Sequence, residues 1–174
     1  MNSEQLEKYN RNRKINQICY VTYDYKKTIE NMCDLLNIGP WTIIAHCNQT
    51  TRGVKLNGKS VKDPFKFICA FAFMGDMQIE VIQPVSGMNP YTKFLEEKGP
   101  GIHHIKECIP DVGELMKTIS EFEKKGSKVV FEGKYQEDLF FYLGTMDKFG
   151  SDYELGNSPI IESHPTLIGY YPEK

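Results

Sequence analysis

The sequence lacks the features that mark several large classes of protein. No stretch resembles a secretory signal, and the longest apolar run, Phe67 to Met74, is far shorter than the roughly 20 residues that a membrane-spanning helix needs. The formal net charge is only −2, whereas nucleic-acid binders usually present a strongly basic face. We therefore expect no membrane span and no nucleic-acid partner, and function should depend on a localised site.

The cysteines also lack the spacing of a zinc ribbon, because none of them forms a CxxC pair. Their odd number and apolar neighbours favour buried, reduced thiols, which are typical of cytoplasmic proteins. They are Cys19, Cys33, Cys47, Cys69 and Cys108. What the chain does contain is 40% hydrophobic and 12% aromatic residues, enough for the core of one globular domain.

The order of predicted elements repeats once along the chain. In each half, a strand is followed by a capped amphipathic helix and then by three more strands. Asp24 and Asp111 predict the helix N-caps, and Gln17 and His104 each stand seven residues before the cap of their own half. The predicted strands are 15–23, 41–47, 66–74 and 78–83 in the first half and 103–109, 128–131, 139–143 and 152–155 in the second, with a polar loop at about 48–64.

This repeat predicts an α+β fold in which two βαβββ modules pair edge to edge into an eight-stranded curved sheet around a cleft. We expect a single domain, and its arm or tail is a candidate for completing a homodimer, which sedimentation analysis would test. The expected parts are an N-terminal arm (1–14), a first module (15–84), a linker with a short helix (85–101), a second module (102–157) and a C-terminal tail (158–174).

Four polar residues stand at matching places in otherwise apolar strands: Gln17, Glu80, His104 and Glu154. Side chains alternate across a strand, so all four can line the concave face of the predicted sheet. Buried carboxylates are costly unless they are paired or bind a metal, although lone strand carboxylates usually face solvent. The set predicts a site for a divalent metal such as zinc, nickel, cobalt or manganese.

The remaining candidates each have two interpretations. His103 and His104 are adjacent in a predicted strand, so they should point to opposite faces and at most one should serve. Lys106 shares a face with His104, where it either contacts negative charge developing on a substrate or is an edge lysine in solvent. His46 and His164 flank loops and are expected at the surface.

Three segments carry a family resemblance: MQIEVIQPVSGMNPYTKFLEEKGPGIHHIKE at 77–107, GPW at 39–41 and GSDYELGN at 150–157. In their order and spacing they resemble the vicinal-oxygen-chelate superfamily, which includes glyoxalases, bleomycin-resistance proteins and dioxygenases. The first segment is similar to the central part of methylmalonyl-CoA epimerases. The resemblance covers roughly residues 15–157.

The resemblance implies that the metal ligands are Gln17, Glu80, His104 and Glu154. Epimerases of this type usually have histidine where this chain has Gln17, and a Gln–Glu–His–Glu set is similar to that of some glyoxalase I enzymes. Residues 48–52 (NQTTR) contain no carboxylate where epimerases often place a second catalytic glutamate. The sequence has no clear basic cluster that matches the site where glyoxalase I enzymes bind the carboxylates of glutathione.

The implied activity is that of a metal-dependent lyase or isomerase that transfers a proton next to a carbonyl, acting on a small thioester or hemithioacetal. Glu154 is the first candidate for the base and Glu80 the second. Extradiol ring cleavage is disfavoured, because it normally needs two histidines and one carboxylate on iron. The alternative is a metal-free ligand-binding protein of the bleomycin-resistance kind.

Overall fold

A computed structural model describes residues 1–158 and 164–173. In chain order the helices are α1 Ser3–Asn10, α2 Tyr25–Leu36, α3 Pro90–Lys98, α4 Val112–Lys124 and α5 Met146–Phe149. The strands are β1 Ile15–Val21, β2 Trp41–Cys47, β3 Thr51–Leu56, β4 Lys59–Ser60, β5 Lys66–Met74, β6 Met77–Ser86, β7 Gly101–Cys108, β8 Val129–Tyr135, β9 Asp138–Leu143, β10 Asp152–Gly156 and β11 Leu167–Tyr171. No helix within these two ranges is long and apolar enough to cross a membrane.

The two helices that follow β1 and β7 begin as the sequence predicts. An oxygen of the Asp24 side chain accepts a hydrogen bond from the backbone N–H of Lys27, and Asp111 accepts one from Glu114. Each bond satisfies an N–H group that has no partner inside the helix. Both predicted N-caps are therefore confirmed, and they fix where each chain segment leaves the sheet.

The strands form one curled sheet in the order β11-β2-β5-β6-β1-β7-β10-β9-β8-β3-β4. Its eight inner strands are the two predicted modules, joined by an antiparallel pairing of β1 with β7. Within each module the first and last strands are parallel neighbours, β1 with β6 and β7 with β10. The predicted fold is confirmed, and the strands that carry the four polar residues lie side by side at its centre.

Three strands were not predicted, and all of them extend the ends of the sheet. The predicted loop at 48–64 contains β3 and β4, with β3 paired to β8 of the other module. The predicted tail contains β11, which pairs with β2. These segments are too short or too polar to give a strand pattern alone, and they become strands because a neighbouring edge offers unpaired backbone groups.

The sheet curls so far that its two ends approach each other. Only residues 48–50 connect β2 near one end of the sheet to β3 near the other. His46 of β2 contacts the opposite end of the sheet: its Nδ1 lies 3.0 Å from the hydroxyl of Thr51 in β3, and its ring centroid lies 4.3 Å from that of Tyr135 in β8. His46 is buried, so the expectation of a surface position was wrong.

Candidate functional site

The centre of the sheet forms the floor of a cavity. In the parallel pair β1/β6, Cys19 stands opposite Glu80, and in the parallel pair β7/β10, Lys106 stands opposite Glu154. The antiparallel pair β1/β7 places Cys19 opposite His104. These registers bring residues that are far apart in the chain into one buried group, as the predicted modules require.

His104 stands between the two glutamates. Its Nε2 lies 2.9 Å from an oxygen of Glu154 and 3.3 Å from an oxygen of Glu80, and its side chain is fully buried. Burial by itself would lower the pKa of the imidazole, but the two carboxylates raise it to about 9. The site therefore attracts a positive charge at this point, which either a proton or a metal ion can provide.

The other nitrogen of His104 contacts His103. A β-bulge in the pairing of β1 with β7 interrupts the alternation of side chains, and the Nδ1 atoms of the two histidines lie 3.0 Å apart. The expectation that the two side chains point to opposite faces was wrong. Burial, helped by the charge of His104, lowers the pKa of His103 well below its usual value, so His103 is neutral and can accept the N–H of His104 Nδ1. That hydrogen bond leaves the lone pair of His104 on Nε2, facing the carboxylates.

Glu154 is held by a buried ammonium group. Lys106 Nζ lies 3.0 Å from the second oxygen of Glu154 and donates a 2.9 Å hydrogen bond to Asp138. Burial by itself would lower the pKa of Lys106, but these two carboxylates raise the pKa well above its usual value. The interpretation of Lys106 as an edge lysine in solvent is wrong.

Gly156 makes room for the lysine. A Cβ atom at Gly156 would lie 2.6 Å from Lys106 Cε and 2.9 Å from Lys106 Nζ. Any larger residue would therefore displace the side chain that holds Glu154 and Asp138. Gly156, the second glycine of the segment GSDYELGN, is therefore required by the position of the Lys106 side chain.

The residues present suit a divalent cation. In the described part of the chain, Gln17 Oε1 is buried and lacks a hydrogen-bond partner, and His104 Nε2 lies close to both carboxylates without a well-aligned hydrogen bond to either. Gln17 is oriented by its own amide nitrogen, which donates to Gln78 at 2.6 Å. Together with Glu80 and Glu154 these atoms make the mixed oxygen and nitrogen set that zinc, nickel, cobalt and manganese accept.

A thiol lies at the same point. The Cys19 sulfur, a Glu80 oxygen and a His104 nitrogen all lie within 4.8 Å of one another. Burial, and then the charge of Glu80, raise the pKa of the Cys19 thiol well above its usual value. Cys69 behaves in the same way for the same two reasons, so Glu80 has two neutral thiols beside it where Glu154 has an ammonium group.

The structure thus brings together all four residues that the sequence singled out, and it places Lys106 beside them. Sequence reasoning missed Cys19, Asp138 and the part played by His103. Cys19 carried a signal, because it lies two residues from Gln17 on the same face of a predicted strand. Asp138 carried none, because its contact with Lys106 depends on the order of strands that are not neighbours in the chain.

Comparison with known proteins agrees with this fold. The sequence model of the Glyoxalase/Bleomycin resistance protein/Dioxygenase superfamily matches residues 16–142. The chain belongs to this superfamily. In sequence, a stretch of 52 residues is 35% identical to the uncharacterized protein YqjC of Bacillus subtilis, and it spans 30% of this chain and 37% of that protein.

Solved structures of the superfamily share the fold. A hypothetical protein from Bacillus halodurans is 19% identical, with a TM-score of 0.64 over 88% of this chain and 99% of its own. A variant of Streptomyces coelicolor methylmalonyl-CoA epimerase in complex with 2-nitronate-propionyl-CoA is 20% identical, with a TM-score of 0.59 over 86% and 97% of the two chains. A methylmalonyl-CoA epimerase in complex with methylmalonyl-CoA and NH4+ is 20% identical, with a TM-score of 0.60 over 87% and 98%. At these identities the likeness concerns the fold.

Proposed function

We propose that the protein is a metal-dependent isomerase or lyase that moves a proton at a carbon next to a carbonyl group. The observation that carries the proposal is the convergence of Glu80 and Glu154 on His104 Nε2 at the floor of the cavity. Gln17, Glu80, His104 and Glu154 would hold the metal. A bound divalent metal supplies polarisation of the substrate carbonyl and stabilises negative charge on its oxygen.

The contacts of the two glutamates favour Glu80 as the base. Lys106 and His104 each face one of the two oxygens of Glu154. Burial by itself would raise the pKa of this carboxyl, but the two cationic neighbours hold the pKa below its usual value. A carboxylate held in this way is a good ligand and a poor proton acceptor. Glu80 has no lysine partner in the described residues: it contacts His104 and lies beside the thiols of Cys19 and Cys69, so no ammonium group fixes it in place. We therefore reverse the order of bases expected from the sequence.

A single carboxylate that acts as the base favours transfer of the proton between neighbouring atoms on one face of the substrate. Glu154 is held by Lys106, and Asp138 is held both by Lys106 and by the backbone N–H of Ser158. Inversion at carbon needs a proton acceptor on one face and a proton donor on the other, and of the described carboxylates that line the cavity only Glu80 lacks a lysine contact. This reasoning supports a glyoxalase I-like reaction on a hemithioacetal.

The second candidate is epimerisation of a thioester, like that of methylmalonyl-CoA. Its support is the fold shared with methylmalonyl-CoA epimerases over more than four fifths of the chain. In that case a second proton donor, such as a water molecule, would have to act on the face opposite Glu80.

The test begins with metal content. Protein purified without chelator should contain close to one divalent metal per chain. In deuterium oxide, nuclear magnetic resonance should then detect isomerisation of the methylglyoxal–glutathione hemithioacetal or exchange at the carbon next to the carbonyl of methylmalonyl-CoA. Retention of part of the substrate hydrogen in the isomerised product would support transfer by one base. If the protein takes up neither zinc, nickel, cobalt nor manganese, the proposal is contradicted, and the metal-free ligand-binding function is favoured.

A further inference from the structure

The wall of the cavity differs sharply from its floor. Above the floor, the described residues that line the cavity are mainly aromatic: Phe67, Phe71, Phe73, Tyr91, Tyr135, Phe140 and Tyr142. The rings of Tyr91 and Tyr142 are linked by a 2.8 Å hydrogen bond between their hydroxyl groups. This contact pairs the two hydroxyl groups with each other, so they do not require a polar partner from a bound molecule.

All charges lining the cavity belong to the floor. Among the described lining residues, the charged side chains are Glu80, Glu154, Asp138 and Lys106. Lys106 is already bonded to two carboxylates, so it has no charge to spare for an anion on the substrate. The described wall therefore offers no counter-charge to a carboxylate or phosphate on the part of the substrate that it encloses.

The two histidines of the wall do not change this conclusion. Burial lowers the pKa of His46 to about 3 and also lowers the pKa of His164. His46 is stacked on Phe67 with ring centroids 4.8 Å apart and planes inclined by 12°, so it forms part of the aromatic surface. At neutral pH both rings are uncharged.

The volume limits the size of the enclosed group. The cavity measures about 150 Å³. An apolar cavity of about this volume in another protein holds one benzene molecule. One six-membered ring or a branched alkyl group of similar size fits, whereas a nucleotide or a tripeptide would have to lie outside.

From wall, charge and volume together, we infer that the substrate carries one uncharged aryl or branched alkyl group beside the carbonyl that reacts. The inference rests on the proposed function for the position of the carbonyl at the floor. It names the substrate class of that site as a small carbonyl compound with an apolar side group. Any charged carrier attached to it lies beyond the mouth of the cavity.

The main test uses hydroxamates, whose two neighbouring oxygens chelate a divalent metal. Isothermal titration calorimetry on the metal-loaded protein would compare benzohydroxamate, acetohydroxamate and benzohydroxamates with a carboxamide or a carboxylate at position 4. We expect benzohydroxamate to bind about tenfold more tightly than acetohydroxamate, because the ring is buried against aromatic groups. The carboxylate should bind at least about tenfold more weakly than the carboxamide, which has nearly the same size without the charge. A carboxylate that binds as tightly as the carboxamide overturns the inference.

A matched pair of variants locates the effect in the wall. Phe71→Ala removes a half-buried ring that lines the cavity, and we expect it to reduce the preference for benzohydroxamate over acetohydroxamate to about threefold or less. Phe73→Ala, at a more exposed lining position, provides a second variant with less risk to folding. Phe149→Ala removes an equal ring that is 74% exposed and outside the cavity, and it should leave the preference unchanged. Equal preferences in all three variants would contradict the inference.

A second arm separates this inference from the proposed function. Metal-free protein would be titrated with acetophenone and with 4-acetylbenzoate, neither of which needs the metal. Preference for acetophenone in protein that binds no metal would support the apolar side group while contradicting the metal-dependent reaction. Preference for 4-acetylbenzoate would overturn the inference, whatever the metal content.

Discussion

The two halves of the sheet place different chemistry at equivalent positions. The register of β1 with β6 equals that of β7 with β10, so Gln17 corresponds to His104, Cys19 to Lys106 and Glu80 to Glu154. The first half places the thiols of Cys19 and Cys69 beside its glutamate, which also reaches His104 of the other half at 3.3 Å. The second half surrounds its glutamate with an imidazole and an ammonium group. The backbone is repeated while the electrostatic environment is not.

This difference gives the two carboxylates separate tasks. Opposite charges within a few ångströms favour the ionised form of a carboxyl group, and Glu154 has two such neighbours. Glu80 shares His104 with Glu154, but within the described residues it has no ammonium group beside it. The proposed reaction needs one fixed metal ligand and one basic group, and we infer from the asymmetry that Glu154 would be the ligand and Glu80 the base.

The largest expected effect is the loss of metal on replacing His104. In the His104→Ala variant the carboxylates of Glu80 and Glu154 remain, but the nitrogen between them is gone, and we expect metal content to fall below about a tenth of the wild-type value. Inductively coupled plasma mass spectrometry after gel filtration would measure it.

The matched control is His46→Ala, which removes a buried imidazole that lines the cavity and contacts Thr51, Phe67 and Tyr135 rather than the glutamates. It should retain its metal, and equal losses in both variants would indicate that the cavity had collapsed. Full metal content in the His104→Ala variant would show that this half does not anchor the metal.

The second effect separates the two glutamates. We expect Glu80→Gln to lower the rate of proton exchange by about 10²–10⁴, the usual contribution of a general base, with a smaller change in metal content. Glu154→Gln should lose the metal first, since this carboxylate is the fixed ligand. Single-turnover exchange measured by nuclear magnetic resonance, together with metal analysis, distinguishes the two outcomes.

Glu107→Gln is the control for the loss of a buried carboxylate. Glu107 accepts hydrogen bonds from Arg13 and Tyr153 and does not line the cavity. This variant should keep both metal and exchange rate. The reversed pattern, with exchange lost in Glu154→Gln and metal lost in Glu80→Gln, would restore Glu154 as the base.

Sequence patterns predict the inner fold well because each module is locally encoded. The caps at Asp24 and Asp111 and the apolar strands are set by neighbouring residues. The strands β3 and β11 could not be predicted in the same way, because their partners β8 and β2 lie far away in the chain, and β4 is a two-residue strand that pairs with β3. Pairing with a remote edge depends on the assembled sheet.

The candidate site shows the same limit. Gln17, Glu80, His104 and Glu154 could be singled out because the repeat places them at equivalent positions. The role of His103 depends on a β-bulge, which shifts one side chain out of the simple alternation that sequence reasoning assumes. The burial of Lys106 depends on Asp138, which belongs to a strand two positions away in the sheet.

The third prediction concerns the ammonium group that only the second half possesses. Lys106→Met leaves Asp138 and Glu154 buried without their cation, and breaking a buried pair in this way costs about 3–5 kcal/mol. We expect a loss of that order in the free energy of unfolding, measured by urea denaturation of metal-free protein. The double variant Lys106→Met/Asp138→Asn also removes one of the two buried carboxylates that the lysine had neutralised. It should recover part of the lost free energy of unfolding. A single variant as stable as the wild type would mean that the lysine does not hold the second half together.

The smallest expected effect decides which neutral residue of the first half completes the ligand set. Gln17 Oε1 is buried without a hydrogen-bond partner, whereas the Cys19 thiol is neutral and its pKa is raised by burial and by Glu80. We therefore expect Gln17→Ala to weaken cobalt binding by about tenfold, of the order that supporting residues contribute to metal sites. Cys19→Ala should leave both the affinity and the visible and near-ultraviolet absorption spectrum of the cobalt protein unchanged. A sulfur-to-cobalt charge-transfer band that disappears in Cys19→Ala would instead make the thiol the ligand, since a coordinating thiol is deprotonated by the metal. The first half would then contribute a soft ligand, and the comparison between the halves would become thiolate against imidazole.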